Sequence, residues 1–600
     1  MKAIVFIIFL IHLPFTGCQS DKQSIPSIEN SVSSSFIPQK IATTVIPIPQ
    51  LLKETTHYRF MCVDTVFQAT KLDSLIIEME TTFEQIENFV GQKNTLQKIN
   101  CYLYSSAEIK GLSIQNTDQN SIDFQTNTAH IVFNEVYDNN FLQLENQLLL
   151  RHSLGEPKTK ALETGLGIYF SNHWQINGYE YWASKLHLSG NMLSLESLLQ
   201  NDVFEQQSPV VMGAMSGAFA AFLLQHWGKA DFLKQYAKVQ FGAEEIAPLE
   251  IEWLEFLTQL STKYLPQITE NQQVKKTKTL PYFKGFNFAH EGYNIYDGYG
   301  SQQATEALKA LRRLGSNTVA IVPYSGIRNP NSLQPTDMRL WRRPGTENDE
   351  SVVHAAFQSK KLGMATVLKP QIWVRGSWPG DVDFNTQEEW DIFFERYYHW
   401  MLHYAMLAEI HDFEVLCVGV EFAKATLKHP EKWRTMIHQI KQFYNGSVTY
   451  AANWGEEFEN TVIWDAVDFI GINCYYPLSK QENPSKQELQ KGFETALSRI
   501  EAVAKKYDKK VAFTEIGFRS IEKPWINPHH YEWGDKPNYM EEDQHRCYQV
   551  VMEALQNREW CRGILWWKWP SYLSHSQEDK TEFAPNGKMA ERVVEKWFKE

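Results

Sequence analysis

No basic stripe runs through these 600 residues: 58 Lys and Arg stand against 71 Asp and Glu, a net charge of −13. Without clustered cations to neutralise phosphates, a nucleic-acid partner is not expected. The chain also lacks a P-loop and a dinucleotide-binding fingerprint, so nothing in it signals nucleotide chemistry of those kinds. Cysteine is scarce. The seven residues are scattered without metal-ligand spacing, and no metal or other cofactor is expected. Cys417 and Cys474 lie in apolar runs and read as buried thiols; whether Cys62 and Cys101 pair stays open. Aromatics, by contrast, are abundant. Nineteen Trp exceed ordinary use, which suits sugar-stacking surfaces, although large cores also consume Trp. A chain this long exceeds one core, and two folded domains are the natural expectation.

The N-terminus reads MKAIVFIIFLIHLPFTGCQS. Lys2, an apolar stretch too short for an ordinary spanning helix, and a small-residue site ending in Cys18 resemble a bacterial lipoprotein signal. Residues 1–17 would be removed and Cys18 acylated, anchoring the protein to a membrane of the cell envelope, on its periplasmic or outer face. A plain secretory signal is the alternative. Residues 18–50, rich in Ser, Gln, Pro and Thr, read as a disordered tether. A second polar, pattern-free stretch at 266–282 reads as a linker, leaving folded segments at 51–265 and 283–600.

The second segment alternates short apolar runs with helix-like stretches. The runs are KGFNFA, TVAIVPYS, ATVLKPQIWV, VLCVGVE, VTYAANW, FIGINCYY, VAFTEIGF and GILWWKW. Between them, ATEALKALRRLG carries an apolar stripe at helical spacing closed by Gly315, and HAAFQSKKLG closes on Gly363. Eight such alternations give the count of a (β/α)8 barrel, with an open doubly wound sheet as the competing fold. The fold class expected is therefore α/β: a C-terminal barrel preceded by a smaller, mainly helical α+β domain. In a barrel the site lies at the C-terminal strand ends. Glu421 ends the fourth run and Glu515 lies near the end of the seventh. A carboxylate closing an apolar strand faces a cleft or is paired at the strand end. Two of them suit glycoside hydrolysis, which needs an acid/base and a nucleophile.

These runs, with LRRLGSNTVAIVPY, LKPQIWV, VGVE and TEIGFRS, are similar to glycoside hydrolase family 113 of clan A across nearly all of 283–600. The resemblance implies a retaining enzyme acting on β-1,4-mannan or a related glycan, with Glu421 as acid/base and Glu515 as nucleophile. Glu421 would have to start protonated and Glu515 ionised. Clan A enzymes commonly place a strand-six Tyr beside the nucleophile, which favours Tyr475; Arg519 is a second candidate donor. Many clan A families carry Asn before the acid/base, where Val420 stands here. Lys369, Trp373, Asn453, Trp454 and Trp566 are the candidates for holding sugar. Strand alternation lets only one of Trp566 and Trp567 face the barrel. In the WVRGSWPGD loop, Trp373 and Trp378 read as a platform for a distal sugar or as latches of the loop, and Arg375, Asp381 and Asp383 as contacts to sugar hydroxyls or as a solvated loop.

Residues 51–265 are similar in layout to gluzincin peptidases, with Glu163 at the position of the third zinc ligand. The HExxH pair is missing, and Leu148 stands where the first His belongs relative to His152. A degenerate domain without zinc or protease activity is expected. Docking on the barrel, extension of the groove and partner binding stay open as its role. For the whole chain, a non-catalytic glycan-binding lipoprotein is the alternative to an enzyme.

Overall fold

The computed structural model describes residues 48–64, 69–91, 98–137, 143–171, 174–276, 279–291, 294–340, 343–531 and 535–600. The signal-peptide and Cys18 assignments lie outside the described residues. Chain beyond residue 46 forms one compact unit.

The eight runs of the C-terminal segment become eight parallel strands of a closed barrel. They are Phe283–Ala289, Thr318–Ile321, Ala365–Leu368, Val415–Val420, Ser447–Asn453, Ile470–Asn473, Val511–Ile516 and Cys561–Pro570. Their side chains are almost wholly buried, as expected for parallel strands covered on both faces. Phe283, Ala320, Val367, Val415, Phe469, Ala512 and Leu565 form a separate apolar layer low in the barrel. The interior is thus plugged at the end where the strands start, and polar chemistry is confined to the other. Two runs are longer in sequence than the barrel strands they supply. Pro323 and Pro370 interrupt them, because proline has no N–H for the ladder. Beyond each break a second short strand, Tyr324–Ile327 and Gln371–Val374, pairs in parallel with the other at the mouth. The helix at Gln302–Arg313 starts on a Ser301 cap, whose hydroxyl accepts the Ala304 N–H, and gives way to Gly315 at φ +101°.

The N-terminal segment packs helices on a five-stranded mixed sheet running Gln50–Glu54, Tyr58–Cys62, Ile99–Tyr104, Thr128–Val132 and Asn120–Asp123. Helices Lys160–Tyr169 and Pro209–Gln235 approach so closely that a Cβ on Gly165 would lie 2.2 Å from the Ser216 carbonyl oxygen. Helix Pro209–Gln235 is apolar and long enough to cross a membrane, but most of it is buried in this segment's core. Cys62 and Cys101 are buried free thiols, not a disulfide.

The linker expected at 266–282 is largely helical. Helix Ala243–Lys276 continues through it, so the connection shrinks to a few residues. Its polar residues face water and leave no apolar stripe to read, while Ile268 and Lys275 anchor it inward. The two segments also share one core, an apolar cluster that runs from Tyr58 to Phe598. At their seam the Lys185 ammonium donates to Glu409 at 2.6 Å, both buried. Ser208 and Asp349 hold the two nitrogens of buried His403, each at 2.9 Å.

Candidate active site

The fourth strand reaches the mouth through a tight passage. A Cβ on Gly419 would meet the Tyr450 ring at 2.6 Å and Trp433 at 2.9 Å, so only glycine lets the strand lie there. Two residues later Glu421 adopts φ +56°, a left-handed conformation uncommon outside glycine. Its N–H donates to the Ala451 carbonyl at 2.9 Å. The side chain, half-buried at the mouth, accepts from Asn473 Nδ2 at 3.0 Å. Asn473 ends the sixth strand, and its own Oδ1 accepts from Thr514 at 3.0 Å. Asn473 is also in register with Glu515, so one amide links the ends of strands four, six and seven.

Glu515 lies in the seventh strand and is nearly buried. Its Oε1 accepts from the Lys369 ammonium, which in turn donates to Asn287 Oδ1 at 3.1 Å, and from Gln371 Nε2 at 2.8 Å. Its Oε2 accepts from the Tyr475 hydroxyl at 2.9 Å. Asn287 is held by the Thr514 and Leu565 carbonyls at 2.9 and 3.2 Å, which fixes the lysine's second partner.

The two carboxyls therefore sit in opposite surroundings. Burial, then the charge of Glu515, pushes the Glu421 carboxyl up to about 8, against the opposing Asn473 hydrogen bond. Burial also holds the Tyr475 hydroxyl well above its usual range, so it remains a donor. A third carboxyl, Glu457 on the short helix Glu456–Asn460 after the fifth strand, is fully buried and raised by burial to about 7.

Most of the residues singled out from sequence gather here, though not always in the expected place. Tyr475, just past the end of the sixth strand, lies with its hydroxyl on Glu515. Lys369 is fully buried on Glu515 and Asn287, where it serves the carboxylate directly. Arg519 does not reach Glu515: its guanidinium binds Asp535 at 2.7 Å and 3.2 Å. The loop after the seventh strand carries it outward, a path that sequence distance does not encode. Trp566 is also turned away. It stacks on Tyr548 of the covering helix Glu541–Leu555, ring centroids 3.9 Å apart. Alternation instead aims Trp567 inward, its ring 5.6 Å from the Lys369 ammonium. Trp454 is half-buried beside Tyr476 and His529, with centroids at 5.1 and 5.6 Å. Asn453 ends the fifth strand half-buried, and its N–H donates to Glu457. Trp373 is 56% exposed. Asp381 and Asp383 pair with Lys424 and Lys428, which makes them latches onto the short helix Ala423–Lys428 after Glu421.

Gln371, Asn473, Asn287 and Glu457 were not singled out from sequence. Strand parity could have found two of them, since Gln371 follows Lys369 by two and Asn473 precedes Tyr475 by two. In the N-terminal segment Glu163 is engaged by Arg151, two hydrogen bonds at 2.6 and 2.8 Å. Among the described residues no three His, Cys, Asp or Glu side chains gather as a metal site.

A model of glycoside hydrolase family 113 matches residues 286–588. No curated protein matches the chain. Solved structures that resemble it include a β-1,4-mannanase of that family in a complex, at 27% identity, covering 53% of this chain and 99% of that one with a TM-score of 0.47. Another is the β-mannanase AaManA from Alicyclobacillus acidocaldarius, at 26% identity, covering 53% and 98% with a TM-score of 0.46. The family match takes in both glutamates, their donors and all eight barrel strands save the start of the first, and on that match the chain belongs to glycoside hydrolase family 113 and is a glycoside hydrolase.

Proposed function

We propose that the enzyme cleaves a β-1,4-linked polysaccharide, β-mannan or a related glycan, with retention of anomeric configuration. The observation that carries this reading is the unlike surroundings of the two carboxyls at one mouth. Burial and the charge of Glu515 raise the Glu421 carboxyl, and Glu515 receives an ammonium, an amide and a hydroxyl. In the first step a Glu515 oxygen bonds to the anomeric carbon as the glycosidic C–O bond breaks, and Glu421 transfers its proton to the departing oxygen. In the second, Glu421 takes a proton from water, whose oxygen displaces Glu515. The choice of mannan rests on the family resemblance, and the sugar contacts fall to Asn453, Trp454, Trp373 and Trp567.

Incubation with β-1,4-mannan oligosaccharides, followed by proton NMR, tests both claims. The β-anomer should appear first and equilibrate later, and Glu515→Gln should release no product. First appearance of the α-anomer would overturn retention. Binding without turnover by the wild type would favour the non-catalytic glycan-binding alternative.

The N-terminal sequence further supports a lipid-anchored protein of the cell envelope. Labelled palmitate should enter the wild type and not Cys18→Ser. For residues 51–265 we propose a degenerate peptidase-like scaffold without zinc, supported by the capture of Glu163 by Arg151. Metal analysis of the purified full-length protein, with zinc well below one equivalent, checks it.

A further inference from the structure

Glu421 holds a left-handed backbone conformation, and that geometry needs support from outside its own strand. The support converges on Glu457. Its Oε1 accepts from the Tyr450 hydroxyl at 2.6 Å and from the Thr426 hydroxyl at 2.9 Å. With its proton directed at Glu457, the Tyr450 oxygen is free to accept the N–H of Phe422, the residue after Glu421, at 2.8 Å. Thr426 lies on the short helix that follows. Glu457 Oε2 accepts the N–H of Asn453 at 2.7 Å. Tyr450, Thr426 and Phe422 are all buried, so no water competes for these bonds.

We propose that Glu457 is a positioning residue for the acid/base step, clamping the loop that carries Glu421 and the main chain of Asn453 in one geometry. This rests on the reading of Glu421 as acid/base. A carboxylate suits the post because it accepts three hydrogen bonds and donates none. Glutamine does not, since an amide nitrogen in place of Oε2 would confront the Asn453 N–H. Glu457 also acts through space. Glu421 is faced by Glu515 from the seventh strand, Glu457 from beyond the fifth, Lys369 from beyond the third and Tyr475 from beyond the sixth. Of these, Glu515 and Glu457 are the like charges that favour its protonated form.

The test compares Glu457→Gln and Tyr450→Phe with the wild type, each checked for fold by circular dichroism. Both should lose about 10- to 100-fold in kcat/KM on mannan oligosaccharides, the quantity that reads the acid-assisted first step, on the scale of a small misplacement of a catalytic group. On an activated aryl mannoside, which needs no acid assistance, the loss should be under about 3-fold. The alkaline limb of kcat/KM should move to lower pH in Glu457→Gln and stay in place in Tyr450→Phe, which alters no charge. Carbon-13 NMR titration of the Glu421 carboxyl reads the same shift without turnover. An inactive wild type would therefore sink the mannanase reading while the clamp is still decided. Equal losses on both substrates, or an unmoved Glu421 titration in folded Glu457→Gln, would overturn the proposal. If Glu457→Gln does not fold, Tyr450→Phe decides by its substrate split.

Discussion

Two buried lysines in this molecule each meet a glutamate, and the two pairs do opposite things. At the seam between the segments, Glu409 takes Lys185 at 2.6 Å, Lys275 at 3.2 Å, and the Asn445 N–H and side-chain amide at 3.0 and 2.9 Å. Burial alone would raise this carboxyl, but the two ammoniums outweigh it and hold it below the usual range. Both oxygens are engaged by buried donors, and the pair is closed. At the barrel mouth, Glu515 takes Lys369, Gln371 and Tyr475, and faces a second carboxyl that is raised to about 8. The same chemistry is a weld where the ring of partners is complete, and a reaction centre where an unlike neighbour shares the space. What separates them is the company each carboxylate keeps, since a lysine on a glutamate occurs in both.

The largest effect that sharpens this contrast is at Glu515. Glu515→Gln keeps an acceptor for Lys369 but loses the nucleophile, and activity should fall roughly 10⁴-fold or more while the fold persists. Steady-state rates on mannan oligosaccharides check it; residual rates near wild type would reduce Glu515 to a second weld. Glu421→Ala comes next. Loss of acid assistance should cost about 10²- to 10⁴-fold on substrates with poor leaving groups and far less on activated aryl glycosides. Equal damage to both would reassign Glu421. The pH dependence has a definite sign. Because folding raises this carboxyl from 4.5 to about 8, the unfolded chain releases its proton first as pH rises. Glu421 therefore withdraws stability between those values, and the enzyme loses its acid above about 8. Glu421→Gln should melt higher than the wild type at pH 8 and show no such gain at pH 4, as thermal unfolding at the two pH values will report.

The contrast also marks what could be read from sequence. All eight barrel strands were legible because parallel strands buried on both faces are continuous apolar runs, and both glutamates stood out by breaking them. Tyr475 was legible through the family resemblance. Arg519 and Trp566 were misplaced for different reasons. Arg519 follows its strand by a loop whose path no periodicity records, and it ends on Asp535. Trp566 and Trp567 have the same composition and differ only in parity, which needs the strand register to resolve. The seam was invisible. Lys185 and Glu409 are 224 positions apart on two helices, and a polar residue on a helix looks solvated until another segment covers it. The same blindness turned the last turns of helix Ala243–Lys276 into an apparent linker.

Breaking the seam tests the other half of the comparison. Glu409→Ala strands Lys185 in the interior without its carboxylate, which should destabilise the protein by about 3–5 kcal/mol. Chemical denaturation measures this, and kcat per folded molecule should stay within about 2-fold of wild type. A loss of kcat without loss of stability would make the seam part of the catalytic machinery.

The smallest effect concerns how open the mouth is. Trp373 lies two residues from Gln371 on the same short strand, so both side chains share one face. Gln371 touches Glu515, which places that face toward the reacting carboxylates. Trp373 nevertheless leaves more than half of its surface uncovered by the chain, a large apolar plane that only something from outside can shield. A sugar ring stacked there would lie beyond the cleaved bond, so Trp373→Ala should raise KM several-fold for long oligosaccharides and leave short aryl glycosides unaffected, because aromatic stacking contributes about 1 kcal/mol beyond simple burial. Initial rates across a ladder of chain lengths decide it. A uniform change at every length would mean that Trp373 shapes the ribbon beneath it and has no sugar of its own.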